Sequence, residues 1–474
     1  MKSNKVTKAA KSGIIIIAFL CLISYVLKHY DATEYRIEQV DAYVERMCQI
    51  ADVPGMSIVV WNDNQESYIN VGYADKRTNV EATSNTQYEL GSTTKAFTAL
   101  GVLLLEQDGM LDRNDSVSEY LPWFSPIYNG DEVDVTIEHL LCHTSGVPVW
   151  TISTLPIGTI NDKGMLEQTI RTIQSVELDN LPGTVHNYAT INYDVLALII
   201  EEVSGVTYEE YIEQNVLEPL GMYDSYFRVD DSKTEQLAMG YRHLLMGVQE
   251  YNAPTFYGNT AAGYLVSTTK DLAIWTKAQM GIFEMDMTES LEGIYAAIIE
   301  SHSYPIEEGQ NYWAGWNLYD GYFCHGGNNP NFSSQVIVFE DGTKAVFALA
   351  NINSAATTAT ADGIVRMLCG ETLKIGLFLD GNSFVDLIGI VLCLIDLYVG
   401  ICIWESRCRE RKYVVVKIVG FILLAIAVAG FPYILHFNYS TLAVWYSPCL
   451  IAAVFGAVIC MFGYATVCVR RKKV

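Results

Sequence analysis

Four apolar stretches, one at the start of the chain and three at its end, constrain this sequence more than any other feature in it. Gly13 to Leu27 is a short apolar run behind Lys2, Lys5, Lys8 and Lys11. Phe384 to Trp404, Val414 to Leu435 and Leu442 to Val469 are each long enough to cross a bilayer, which takes about 20 residues. Basic clusters set the orientation, because they stay on the cytoplasmic side. Arg407, Arg409, Arg411 and Lys412 stand between the first two C-terminal stretches, and Arg470, Arg471, Lys472 and Lys473 follow the last. With the N-terminal lysines, all of them reach the cytoplasmic side in a single topology. Both termini are then cytoplasmic, and the middle of the chain, roughly His29 to Gly381, faces outward. The expected organisation is an anchor over residues 1–30, an extracytoplasmic domain over 31–378, and a membrane domain of three spans over 379–474. The first stretch also reads as a signal peptide. No Ala-x-Ala-like cleavage site follows it, which favours a retained anchor. The bilayer is thus one expected partner.

Charge agrees with an exterior middle. Residues 28 to 381 carry 50 acidic and 17 basic side chains, a net charge near −33. That argues against nucleic acid or anionic lipid as a partner and suits a salt-exposed, soluble domain. Seven of the 11 cysteines lie in the apolar stretches or the basic loop, leaving Cys48, Cys142, Cys324 and Cys369 outside. Their spacing fits no zinc motif and no disulfide framework, and they read as isolated core residues. No metal or other cofactor is expected, since no His/Asp/Glu cluster has ligand spacing. Asp386 and Asp396 fall inside the first C-terminal stretch. Asp386 is near enough to the end to reach the interface. Asp396 is deeper and reads as a polar contact to another helix, with a transport role as the alternative.

The chemistry-bearing feature of the outer domain is Ser92-Thr93-Thr94-Lys95 at the start of a very apolar helix. A Ser and a Lys three residues apart share a helix face, with Cβ atoms about 5–6 Å apart. A serine hydroxyl is a weak nucleophile until a base activates it. Lysine, with a free pKa of about 10.4, becomes such a base when burial lowers that value. The run Ala96 to Leu105 is apolar nearly all round, so the helix should be buried and Lys95 desolvated. Ser92 follows Gly91 at a helix start, where backbone N–H groups favour developing negative charge. The spacing alone is weak, since Ser-x-x-Lys arises by chance about once or twice in a chain of this length. A second copy, Ser267-Thr268-Thr269-Lys270, precedes an ordinary amphipathic pattern. There Ser267 or Thr268 reads as a helix N-cap with Asp271 in the first turn.

Along the outer domain, Tyr35 to Ala51 has helical periodicity, and Met56 to Trp61 and Ser67 to Tyr73 read as strands around Asn62-Asp63-Asn64. A helix-rich middle runs from Thr136 to Met222. Gln335 to Phe339 and Ala345 to Ala350 form a second hairpin turning at Asp341-Gly342, and Ala355 to Cys369 reads as a helix. Strands at both ends with helices between predict an α/β (α+β) fold: one antiparallel sheet built from both ends, flanked by helices, with a helical subdomain inserted. No internal repeat or low-complexity linker interrupts it.

Acyl transfer by a Ser–Lys pair also needs a proton shuttle and oxyanion donors. The Pro182-Gly183 turn presents Tyr188 just before a helix, although a tyrosine there could equally be core packing. His325-Gly326-Gly327 precedes a strand that begins near Phe332, and reads either as a close backbone approach to a ligand or as a plain tight turn.

With these parts in view, the chain resembles the serine β-lactamase and penicillin-binding protein superfamily, in the branch of class C-like β-lactamases, D-aminopeptidases and related esterases. The resemblance covers roughly residues 35 to 370, in the family's order. It is carried by Gly91-Ser-Thr-Thr-Lys95, Thr136-Ile-Glu-His-Leu-Leu-Cys-His-Thr-Ser-Gly146, Pro182-Gly-Thr184, Tyr188, Glu218-Pro-Leu-Gly-Met222, Ala262-Gly-Tyr264 and His325-Gly-Gly327. It implies the β-lactamase/DD-peptidase-like fold. It also implies that Ser92 is the nucleophile, that Lys95 is its base, and that Tyr188 carries the proton to the leaving group and helps activate the deacylating water. His325-Gly326-Gly327 stands where the third family motif stands, often Lys-Thr-Gly. The backbone N–H groups of Ser92 and Asn328 would form the oxyanion hole. His143 matches a position that reads as structural.

Two departures bear on the substrate. The second motif is usually Tyr-x-Asn and here ends in Thr190, which removes an amide that typically contacts the acyl side chain. The third has His325 where many β-lactamases have Lys, and a mostly neutral imidazole is a weaker anchor for a free carboxylate. Both departures suit a D-amino-acid-containing peptide, a cell-wall-related amide or an ester better than a β-lactam. Thr190 together with three C-terminal spans also resembles the membrane peptidases that remove an acyl-D-asparagine cap from peptide prodrugs. Two readings stand: a membrane-anchored serine hydrolase, and a receptor that binds or is acylated by a wall ligand or β-lactam without turnover. The short cytoplasmic loops hold no output domain for the second. Ser92→Ala is expected to abolish turnover while Ser267→Ala leaves it nearly intact; equal loss in both would mean that the wrong Ser-x-x-Lys has been chosen.

Overall fold

The computed structural model describes residues 2–63, 65–156, 164–228, 236–282, 289–303, 311–405, 414–434 and 437–470. Asn64, Leu435, the basic loop Arg407–Lys412 and the terminal Arg471–Lys473 lie outside the described residues.

The centre is an eight-stranded antiparallel sheet. Its strands are β1 (Gly55–Asn62), β2 (Gln65–Asp75), β3 (Val80–Glu81), β4 (Tyr312–Trp313), β5 (Trp316–Tyr319), β6 (Tyr322–Asn329), β7 (Phe332–Phe339) and β8 (Lys344–Ala350). They run in the order β4-β5-β6-β7-β8-β1-β2-β3. The seam between the early and late parts of the chain is the β8–β1 pair, with Ala348 opposite Ile58. β1 is buried on both faces because its side chains alternate between two cores. Val59 and Trp61 face one core, and Met56, Ile58 and Val60 face the other. The second core is closed by the helices Val40–Ile50 and Ala355–Leu368. The first contains the Thr94–Gln107 helix and the Ile191–Ser204 helix of the inserted, helix-rich segment. Phe97 stacks on Trp275 there at 3.8 Å between ring centroids. Each fully buried aromatic of this kind is worth about 1.5–3 kcal/mol over its exposed state.

The strands are longer than their apolar cores suggest, because polar residues at the ends continue the ladder. Gln65 pairs with Asn62, and Ser333 and Ser334 at the start of β7 pair with Asn328 and Gly327 of β6. The expected helix from Tyr35 begins as a 3-10 turn, Ile37–Gln39, before Val40–Ile50. Among the described residues no disulfide forms, and Cys48 and Cys142 are buried in the two cores.

The apolar stretches are helical: Lys2–Lys28, Gly381–Glu405, Val414–Ile434 and Pro448–Arg470. Among the described residues, Val6–Lys28 and Gly381–Glu405 are long and apolar enough to cross a membrane. The expected single span Leu442–Val469 is instead two helices, Tyr439–Trp445 and Pro448–Arg470. The physical reason is Pro448, which disfavours helical backbone at Ser447 and starts a new helix at its own first position. The N-terminal helix lies along Gly381–Glu405. Lys11 pairs with Glu405, and the Tyr25 and Ser383 hydroxyls are 2.9 Å apart. The ribbon Tyr30–Tyr35 with Leu373–Leu377 continues this antiparallel pairing into the outer domain.

A few carboxylates join the two parts. Asp380, fully buried, accepts from the Ala355 N–H at 2.8 Å and the Ser383 N–H at 3.0 Å. It therefore caps the N-terminus of Gly381–Glu405 and adds a second acceptor at that of Ala355–Leu368, where Ser354 already accepts from the Ala356 N–H. Asp386 accepts from the Met246 N–H at 2.8 Å and the Ser447 hydroxyl at 2.5 Å. Asp396 sits against Gly456, where an added Cβ would lie 2.6 Å from Oδ2. Asp380→Ala removes an acceptor from two helix starts at once and should lower the unfolding midpoint of the full-length protein in detergent by several degrees, as expected for about 2–3 kcal/mol. Asp380→Asn, which keeps an acceptor, should fall between; no change in Asp380→Ala would show that the shared cap contributes nothing.

Candidate active site

Ser92 sits in a 3-10 turn, Gly91–Thr93, that runs into the Thr94–Gln107 helix. The turn is pressed against the end of β6. Gly91 has φ +57°, and a Cβ there would stand 2.5 Å from the Asn328 nitrogen. A Cβ on Gly327 would stand 3.0 Å from the Ser92 nitrogen and collide with the Leu90 carbonyl. Only glycine at both positions lets the two backbones approach this closely. The N–H groups of Ser92 and Asn328 are thereby brought to opposite sides of one contact.

Lys95 is wholly buried on the first turn of the helix. Its Nζ lies 3.2 Å from Ser92 Oγ, 3.0 Å from Thr190 Oγ1 and 2.8 Å from the Ala262 carbonyl oxygen. It stands 5.2 Å from the Tyr188 ring centroid and 5.7 Å from that of Tyr193. Burial lowers its pKa to about 7, and the nearby Asp194 carboxyl works in the opposite direction. A neutral amine has two N–H bonds and one lone pair. The Ala262 carbonyl can only accept, and Thr190 can accept as well. With the two N–H bonds so directed, the lone pair is left for the Ser92 O–H.

Tyr188 follows the Pro182-Gly183 turn directly before the Ile191–Ser204 helix. Its hydroxyl is shut off from solvent and has no hydrogen-bond partner within normal geometry. Burial pushes the phenol upward, an effect that the nearby Ser92 hydroxyl reduces. The ring lies 4.1 Å from His143, 5.8 Å from Tyr312 and 6.2 Å from His325, measured between centroids.

His143 supports this segment from below. It adopts φ +54°, and its Nδ1 accepts from the Asn192 amide at 3.1 Å. Its carbonyl accepts from the Asn187 N–H at 2.8 Å, and the Thr144 carbonyl from the Gly183 N–H at 2.8 Å. Burial drives its pKa well down, so the ring is neutral.

His325 is placed inside the protein. Its Nδ1–H donates to the Gly326 carbonyl at 2.8 Å, and its Nε2 accepts from the Tyr312 hydroxyl at 3.0 Å. These partners define the neutral tautomer. Burial, with Lys95 nearby, lowers its pKa to about 3. Both nitrogens are used within the protein, which leaves the ring no donor for a substrate. Gly327 and Asn328, whose side chain is exposed, are the parts of this motif that reach the Ser92 turn, while Gly326 lies against Gln335 of β7.

The structure thus gathers Ser92, Lys95, Tyr188, Thr190, Gly327 and Asn328 at one place and sets His325 behind them. The second Ser-x-x-Lys lies elsewhere. Ser267 is buried and hydrogen-bonded to Ser225 at 2.8 Å, and Thr268 caps the Thr269–Gln279 helix through the Asp271 N–H at 3.2 Å. Tyr312, Asn192 and Asp194 were not found from the sequence. Asp194, buried beside Lys95, accepts from the Asn259 amide at 2.6 Å. Asn192 and Asp194 carry a faint signal in their distance from Tyr188; Tyr312 carries none. Among the described residues, no three His, Cys, Asp or Glu side chains stand close enough to hold a metal ion.

Comparison with known proteins accords with this geometry. Residues 40–368 match the family described as Beta-lactamase. Protein flp of Staphylococcus aureus (strain MW2) is 33% identical over 325 residues, which are 67% of this chain and 63% of that protein. This chain therefore spans less than two thirds of that relative's length. The putative penicillin-binding protein PbpX of Bacillus subtilis (strain 168) is 35% identical over 190 residues, 40% of this chain and 45% of that protein. The octameric penicillin-binding protein homologue from Pyrococcus abyssi superposes with a TM-score of 0.61 at 26% identity, over 71% of this chain and 78% of its own. The chain belongs to the Beta-lactamase family, within the β-lactamase and penicillin-binding protein-like superfamily of serine hydrolases.

Proposed function

We propose that this protein is a membrane-anchored, extracytoplasmic serine hydrolase that cleaves an amide or ester through an acyl-enzyme. The observation that carries the reading is the wholly buried Lys95 amine, 3.2 Å from Ser92 Oγ. In the proposed reaction, Ser92 Oγ attacks the substrate carbonyl as its proton passes to Lys95 Nζ. The oxyanion is held by the Ser92 and Asn328 N–H groups. Tyr188 delivers a proton to the leaving group. A water then attacks the acyl-enzyme, gives its proton back through Tyr188 and Lys95, and frees Ser92. Thr190 orients the Lys95 amine.

The substrate class follows from charge. His325 stands where a third-motif lysine would serve as a carboxylate anchor, yet it is neutral and fully engaged. The outer segment is strongly acidic. Neutral or cationic amides and esters fit this site better than substrates with a free carboxylate, and a D-amino-acid-containing or cell-wall-related peptide is the preferred candidate. The domain limits 1–30, 31–378 and 379–474 and the outward orientation belong to the same proposal.

Two measurements test it. The full-length protein in detergent, exposed to a fluorophosphonate, should gain one adduct by intact mass, and Ser92→Ala should gain none; a folded parent with no adduct would favour the receptor. The pH dependence is the second. Lys95 acts only when deprotonated, so kcat/KM should rise about tenfold per pH unit below about 7 and level off above it. His143 and His325, held neutral by burial, do not titrate in that window. Lys95→Met should cost about 10³-fold or more in kcat/KM. A flat profile from about pH 5 to 9 would rule out Lys95 as the base.

A further inference from the structure

Beneath the reacting groups, the Ser92 turn and the end of β6 are joined a second time. Glu89, three residues before Ser92, is 1% exposed. Its Oε2 accepts from Asn329 Nδ2 at 2.6 Å, and its Oε1 pairs with the Arg228 guanidinium. The same Asn329 nitrogen donates to the Gly263 carbonyl at 2.8 Å. Both amide protons of Asn329 are therefore used. Arg228 is itself fixed, its backbone N–H donating to the Tyr264 carbonyl at 3.1 Å. Glu89 is held by pairing with Val266.

Asn329 directly follows Asn328, and Glu89 leads through Leu90 and Gly91 to Ser92. The Glu89–Asn329 bond thus ties together the two short segments that supply the proposed oxyanion donors. Ser334 also holds the turn, its hydroxyl donating to the Leu90 carbonyl at 2.5 Å and lying 3.1 Å from Thr93 Oγ1. Ser334 is on β7, so it holds the turn to the neighbouring strand and not to the end of β6. A buried Glu–Arg pair gives little net stability, because desolvation offsets the attraction. It does give a carboxylate a fixed position, which is what a spacer requires.

We propose that Glu89, fixed by Arg228, and Asn329 form a positioning clamp that sets the separation of the Ser92 and Asn328 N–H groups. None of the three touches the reacting atoms. The proposal rests on the acyl-enzyme reading above. Oxyanion donors act only near 2.7–3.1 Å from the developing charge, and a displacement of about 1 Å costs about 10²-fold.

The test is Asn329→Ala in the full-length protein, which leaves the Glu89–Arg228 pair in place. The expected result is a loss of about 10- to 100-fold in kcat with KM little changed. The acyl carbonyl stretch of the acyl-enzyme, read by infrared difference spectroscopy, should move to higher frequency as the carbonyl becomes less polarised. Glu89→Gln, which turns an amide toward the Asn329 amide, should shift the band the same way and serves if Asn329→Ala does not fold. A lowered unfolding midpoint with kcat and the carbonyl band unchanged would make the cluster merely structural and overturn the clamp. Failure of the parent itself to form an acyl-enzyme would overturn the underlying reading and the clamp with it, a result distinct from a parent that acylates and a variant that does not respond.

Discussion

The burial of one amine organises this molecule. Lys95 begins a helix that is apolar on every side, and such a helix is stable only at the centre of a core. The same packing that stabilises the outer domain therefore removes water from Nζ and lowers its affinity for a proton. A desolvated amine needs polar partners, and three separate segments bring them: Ser92 from its own turn, Thr190 from the next long helix, and the Ala262 carbonyl from a short helix between strands. Chemistry and stability are opposed at this point. An apolar side chain would suit the core better, and an exposed lysine would stay protonated near neutral pH, with no lone pair to take the Ser92 proton.

Around that amine, backbone approach matters more than side-chain chemistry. The turn at Ser92 and the end of β6 meet at a distance that any side chain on Gly91 or Gly327 would prevent. His325 belongs to this framework. Its imidazole locks Tyr312 and its own strand, so the motif contributes position to the site and no charge. His143 plays a comparable part under Tyr188, with a left-handed backbone that lets its loop bind both sides of the 182–190 segment.

The apolar helices are built into the same frame. The antiparallel ribbon of Tyr30–Tyr35 and Leu373–Leu377 aligns the first apolar helix with Gly381–Glu405. Asp380 ties a helix of the outer domain to a helix of the apolar bundle through one carboxylate. Asn438 also donates to the Ser153 carbonyl at 3.1 Å, and Tyr251 donates to the Val444 carbonyl at 3.1 Å. The bundle is thus hydrogen-bonded to the outer domain at several points.

Much of this was legible in the residues themselves, for local reasons. Apolar length marks the helices at the two ends of the chain, short apolar runs mark β1 and β8, and the buried Ser92 helix follows from its composition. The choice between two Ser-x-x-Lys copies was also local, since Thr268 with Asp271 is a recognisable N-cap. Pro448 was equally visible, but a hydropathy pattern does not register a missing N–H. What the sequence by itself determined was which segments bury themselves and which residue types stand at the start of each. Only the tertiary structure decided which of those residues meet. Glu89 and Asn329 are 240 positions apart, and Tyr312 reaches His325 only because two short strands fold back on each other. Periodicity records the face that a residue shows to the core. The partner waiting there is set by how distant segments stack, and no local pattern carries that information.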